Sequence, residues 1–166
     1  MEHSELIEIL DAADMVLVGM GEDFEGKEAL EQNEDYLKVC GEIADAGMEW
    51  IMPYVNRYFS EKNEKLQMAL QALKKLLDKR NYFVVSVCMN GMAAETGILP
   101  ERMTEPCGSY TKLQCASGCE GSILPVETMF LKEIEKCIRG EKEWRMLETP
   151  VCEQCQSPMV FNSLYA

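Results

Sequence analysis

The chain predicts an α/β fold: a partial, doubly wound parallel sheet of Rossmann-like type, carrying a small four-cysteine zinc-binding module. Three observations carry this expectation. DMVLVGMG and YFVVSV are short runs of β-branched and apolar residues, the first ending in glycines, as strands of a buried parallel sheet do. Between them the chain keeps helical periodicity, and the order strand, helices, strand describes a right-handed crossover. The cysteines, finally, include two close pairs, Cys115 and Cys119 in QCASGC and Cys152 and Cys155 in VCEQC.

The elements follow in order. A short amphipathic helix over residues 4–12 precedes the first strand, expected over 14–18. Residues 27–58 are helical in tendency, and Gly41, Gly47 and Pro53 divide them into two or three short helices. The clearest helix covers 61–79, where Leu66, Leu70, Leu73 and Leu77 recur at helical spacing and Ala69 and Leu76 widen the stripe. Ser60 is its expected cap. Glu61 and Glu64 near its start, with Lys74, Lys75, Lys79 and Arg80 near its end, complement the helix dipole. The second strand follows over 82–87. Beyond residue 103, turns rich in Gly, Ser and Cys surround the first cysteine pair, and a helix over 126–138 aligns Val126, Phe130, Ile134 and Cys137 on one stripe. No internal repeat is visible. The expected organisation is one domain over 1–166, with a Rossmann-like part at 1–110 and the zinc module, including its inserted helix, at 111–160.

Composition narrows the function classes. A chain of 166 residues that is 47% hydrophobic can bury a real core. Its 29 acidic against 16 basic residues give a formal charge of −13, which excludes a nucleic acid or an anionic membrane as the expected partner. The opening MEHSELIEILDAAD lacks the basic start and apolar run of a secretory signal, and no stretch approaches the roughly 20 apolar residues of a membrane span. Eight cysteines without such a signal suit a reducing compartment, so a cytoplasmic location is expected.

Two cysteine pairs of this spacing can each aim two thiolates at one point, and zinc takes four such ligands at about 2.3 Å. Two disulfides, or scattered buried thiols, are the other ways to use the same residues. A four-thiolate zinc would be structural, because no coordination position stays open for a substrate. Cys40, Cys88 and Cys137 are expected as small buried hydrophobes. The chain has a single histidine, His3, near its start, so chemistry that needs an imidazole requires that segment to fold back. Cysteine pairs and twelve methionines also admit a redox or metal-handling protein, although the methionines fall mostly at core positions of helices.

The stretch NYFVVSVCMNGMAAETGILPERMTEPCGSYTKLQC, residues 81–115, resembles the core of the sirtuins, NAD-dependent protein deacylases and ADP-ribosyltransferases. It is most similar to their bacterial macrodomain-linked branch, in which the strand is followed by T-N-V-D, then A-G, E-R and G-D-Y-x-x-x-Q-C. QCASGC and VCEQCQSPM resemble that branch's two metal-binding segments, and NRYF at 56–59 fits its helix before the crossover. The resemblance implies zinc on Cys115, Cys119, Cys152 and Cys155. It also implies an NAD site in which the turn around Gly19 and Gly21 receives phosphates and Asn90 holds an amide.

At the functional positions the chain departs from the family. Glu22 and Asp23 follow the two glycines where the family has a serine, and carboxylates repel a pyrophosphate. Cys88 and Asn90 stand at the family's asparagine and aspartate. Cys107, before Gly108, stands at the catalytic histidine, and a thiol with a reference pKa of about 8.5 needs an electropositive neighbour to act as a base. Residues 161–166, FNSLYA, align where the family enters the second half of its dinucleotide crevice, so about half of that crevice is expected to be absent. The open sheet edge left behind is expected to be covered by a second copy or by a partner chain. The function expected is that of a zinc-binding, truncated and degenerate sirtuin-like protein with lost or impaired NAD-dependent deacylation. The alternative is an active deacylase or ADP-ribosyltransferase whose site an oligomer or partner completes.

Overall fold

The computed structural model describes residues 3–163, with the side chain of His3 and residues 164–166 outside the description. The expectations for the imidazole of His3 and for the end of FNSLYA therefore fall outside the described residues. Two three-stranded sheets organise the molecule. In the first, β1 (Val16–Met20) pairs in parallel with β2 (Tyr82–Ser86), placing Val18 opposite Val84, and β2 pairs in parallel with β3 (Met103–Thr104). The expected crossover is present. The first strand lies two residues later than read, so Gly19 sits inside it rather than in the turn after it.

Burial of the sheet is one-sided at its edge. Met20 and Val84 are buried against Leu66, Leu70 and Leu77 of the crossover helix α5 (Glu64–Leu77). On the alternate face Leu17 is 71% exposed, whereas Phe83 and Val85 on the central strand are half-buried. A fully buried β1 was the expectation, and its edge position explains the difference: among the described residues only β2 pairs with it.

Helix α1 (His3–Ala12) precedes β1, and three helices fill the connection before α5: α2 (Lys27–Glu31), α3 (Glu34–Ala46) and α4 (Met52–Ser60). Gly41 does not break α3, because one glycine inside a well-capped helix costs only about 1 kcal/mol. Asn33 caps the start of α3, its side chain accepting the Tyr36 N–H at 3.0 Å, and Gly47 closes it at φ +67°. Pro53 opens α4 instead of interrupting it, as a first-turn proline can.

Helix α5 starts three residues later than the charge pattern indicated. Its cap is Asn63, whose side chain accepts the Leu66 N–H at 3.1 Å. Ser60 is the last residue of α4, and its hydroxyl donates to the Glu25 carbonyl at 2.9 Å. Asn63→Ala is therefore expected to cost about 1 kcal/mol in a denaturant unfolding curve.

The second sheet is antiparallel, in the order β5 (Leu124–Pro125), β4 (Gly108–Cys115), β6 (Met159–Ser163). Helix α7 (Thr128–Ile138) buries Phe130, Ile134 and Cys137 of the expected stripe, while Val126 lies before its first residue and is only partly buried. These residues join Leu113 and Phe161 of the sheet in one core with Val39 and Ile43 of α3 and Val55 of α4. Trp50 stacks on Phe130 with ring centroids 6.2 Å apart, and the Tyr54 hydroxyl donates to Glu135 at 2.7 Å. The short helix α6 (Met92–Glu95) leads from β2 toward this second sheet. No helix among the described residues is long and apolar enough to cross a membrane.

Candidate metal centre and the crevice at the sheet ends

The four cysteines of the two pairs converge. Cys115 ends β4, Cys119 closes the turn that follows, and Cys152 and Cys155 occupy a turn running antiparallel into β6. Their sulfurs all lie within 4.8 Å of one another, and Cys115 Sγ and Cys155 Sγ are 3.5 Å apart. A disulfide needs about 2.05 Å. Tetrahedral thiolates around zinc would stand roughly 3.8 Å from each other, so the donor set fits the metal in number, softness and spacing.

Local backbone geometry builds the centre. Gly118 at φ +71° lets the first turn fold tightly, and the Ser117 N–H points at Cys115 Sγ at 3.3 Å. In the second turn the Gln156 N–H reaches the Cys152 carbonyl, and the Cys152 N–H reaches the Ser157 carbonyl, both at 2.8 Å. Hydrogen bonds from the Ser157 hydroxyl and N–H lower Cys155 to about 6, whereas its sulfur neighbours Cys155 and Cys115 push Cys119 up to about 12. Thiols held this close cannot all ionise unless a cation sits among them.

A second group of residues gathers at the C-terminal ends of β1 and β2, where a doubly wound sheet receives its ligand. Gly21 is extended, at φ −87° and ψ −178°, and leads into a 3-10 turn, Glu22–Glu25. The left-handed glycine of this connection is Gly26, at φ +73°. The tight turn expected at Gly19 and Gly21 thus forms five residues beyond Gly21, because the acidic segment winds into a helical turn first.

Glu22 is exposed and pairs with Lys27 at 2.5 Å, which holds its carboxyl below the usual range. Glu25 is only 8% exposed, and its carboxylate accepts the Met89 N–H. Burial pushes its carboxyl up from the ordinary value, opposed by hydrogen bonds from the Met89 and Asn90 backbones.

Asn90 is fully buried, its Nδ2 donating to the Phe24 carbonyl at 2.9 Å and its Oδ1 accepting the Met92 N–H at 3.1 Å. Cys88 is buried as expected, its thiol donating to the Gly21 carbonyl at 3.1 Å, and burial pushes it up to about 11. Cys107 is half-buried in the turn before β4. Nearby, burial raises the Glu105 carboxyl, against the pull of Lys112 and Ser109. Gly21, Cys88 and Asn90 therefore meet in one hydrogen-bonded pair of loops, Gly19 stays in the strand, and Cys107 lies on the connection from β3.

Sequence reasoning missed Glu25, one acid among several in EDFEGKEALE with nothing to mark it as the buried one. It also missed Arg57, which is buried and holds Glu95 through two hydrogen bonds, while the Tyr110 hydroxyl donates to Glu95 at 3.1 Å. An arginine in NRYF on the polar side of a helix pattern reads as surface, and only the fold brings Tyr110 and Glu95 over it.

The crevice does not fit an anionic dinucleotide as it stands. The amide of Asn90 and the carbonyl of Gly21 are spent on neighbouring loop atoms, and Glu22, Asp23 and Glu25 bring carboxylates to the turn where a pyrophosphate would rest.

No protein-family model and no curated protein sequence matches the chain. Solved structures do, and they are sirtuins. One, on the structural basis of sirtuin substrate affinity, has a TM-score of 0.56 at 18% identity, over 99% of this chain and 66% of its own. A complex of Sir2 with p53 peptide and NAD+ gives 0.53 at 17% identity over 98% and 64%, and Sir2 bound to an acetylated peptide gives 0.54 at 16% over 98% and 63%. The chain thus has a sirtuin-like α/β fold with a four-cysteine cluster that can bind zinc. It spans 63 to 66% of the length of these sirtuin chains.

Proposed function

We propose that this chain is a zinc-bound, degenerate sirtuin-like protein in which NAD-dependent deacylation is lost or impaired. The observation that carries the reading is the Cys107–Gly108 pair. The glycine is a backbone necessity, while its neighbour, at the position where the resemblance puts a general base, is a half-buried thiol. Zinc would be held by Cys115, Cys119, Cys152 and Cys155 and would supply rigidity, since four thiolates leave no site for a substrate.

Interaction is then the expected role. The edge strand β1, which among the described residues pairs only with β2 and turns Leu17 outward, suits pairing with a further strand. A charge of −13 opposes self-association and favours a separate partner chain over a second copy. Eight free cysteines support a reducing, cytoplasmic setting.

One preparation tests this. Metal analysis of the purified chain is expected to give one zinc per chain, and titration with NAD by calorimetry no saturable binding tighter than about 1 mM. Turnover of an acetylated peptide with NAD would overturn the proposal in favour of an active transferase. Light scattering on the same sample separates a monomer awaiting its partner from a self-paired dimer.

A further inference from the structure

The loops at the ends of β1 and β2 are tied together by more hydrogen bonds than a bare connection needs. From the second loop, Cys88 donates to the Gly21 carbonyl, the Asn90 side chain donates to the Phe24 carbonyl, and the Met89 N–H donates to the Glu25 carboxylate. Ser60 anchors the Glu25 carbonyl from α4. A backbone N–H turned toward an oxygen anion in the loop after a parallel strand is the kind of donor that receives phosphates or carbonyl oxygens. Here the anion is the chain's own.

We propose that Glu25 is an internal latch: its carboxylate occupies the Met89 N–H and closes the crevice to an ADP-ribose-type ligand. The inference rests on the sirtuin-like reading above, because that fold puts a dinucleotide at these strand ends. Burial of Glu25 at 8% exposure, with Lys27 as the cation near it and Glu22, Glu105, Cys88 and Tyr36 as its other titratable neighbours, shows a seated group rather than a solvated acid. A carboxylate is excluded from such a place unless its hydrogen bonds offset the loss of water. An arriving pyrophosphate or carboxamide oxygen has to displace it.

The test uses the zinc-loaded full chain and its Glu25→Gln and Glu25→Ala variants, with amide hydrogen exchange and ADP-ribose titration as readouts. Exchange at Met89 is expected to accelerate about tenfold in Glu25→Gln and about a hundredfold in Glu25→Ala, while Leu113 and Phe161 keep their protection. Glu25→Ala is expected to bind ADP-ribose at least about tenfold more tightly than the parent chain. Unchanged exchange at the Met89 amide, or equal ADP-ribose affinity in parent and variant, overturns the latch. If Glu25→Ala fails to fold, the same comparison is made with Glu25→Gln, which keeps the volume and one acceptor oxygen. Deacylation by the parent chain would overturn both the proposed function and the latch, whereas unchanged exchange or affinity without deacylation overturns the latch alone.

Discussion

Cys152→Ser is expected to abolish zinc binding and to destabilise the chain by on the order of 5 kcal/mol, because metal binding and folding of such a centre are coupled. Cys152 is the appropriate probe. It is buried, belongs to the core that joins the second sheet to α3 and α4, and anchors its turn through its N–H and carbonyl. Serine keeps the shape but not the soft thiolate. Metal content by emission spectroscopy and a denaturant midpoint read the two effects together. Cys40→Ser, on the half-buried face of α3, is the control, expected to leave both unchanged. A Cys152→Ser protein with full zinc and an unshifted midpoint would sink the metal assignment.

The second large effect is at Gly108. Its φ is +103°, and a Cβ there would lie 2.1 Å from the Asn162 carbonyl oxygen, 2.8 Å from its carbon and 3.0 Å from Ser163 Cα. All three atoms are backbone of β6, so no side-chain rotation relieves the clash, and the strand pairing Gly108↔Ser163 has to open. Gly108→Ala is expected to cost at least about 3 kcal/mol in equilibrium unfolding, combining strain with lost pairing. Gly41→Ala provides the contrast. That position is helical, has a negative φ and meets nothing within 4 Å, so alanine is expected to stabilise by about 0.5–1 kcal/mol. A neutral Gly108→Ala would mean that β4 and β6 do not meet as described.

These two cases mark what the sequence could and could not disclose. The strand–helix–strand unit and the buried stripe of α7 follow from local periodicity, which one element carries by itself. The metal centre is legible because cysteine pairs are chemically conspicuous at any distance along the chain. Strands β3, β4 and β6 were not read, since each is defined by a partner far away: Leu113 is a strand residue because Phe161 lies opposite. Gly108 looked like part of a catalytic dipeptide and proves to be required by backbone contact. The cap at Asn63 was missed in favour of Ser60 because both residue types cap well, and only the end of α4 decides between them.

Strand β4 begins at Gly108, two residues before its tie to the loop after β2, and ends at the cysteine cluster, with Cys115. At about 3.3 Å per residue its eight residues separate those ends by roughly 23 Å. Near its start the Tyr110 N–H bonds the Met89 carbonyl at 3.3 Å, so the strand is attached to the very loop that Glu25 grips. It is in effect a ruler with a spectroscopic handle at one end. Cobalt in place of zinc would give the four-sulfur centre colour and unpaired spins, and paramagnetic shifts would fade residue by residue from Leu113 toward Ser109. That gradient would report, from within the folded chain, any tilt of the strand when the crevice opens.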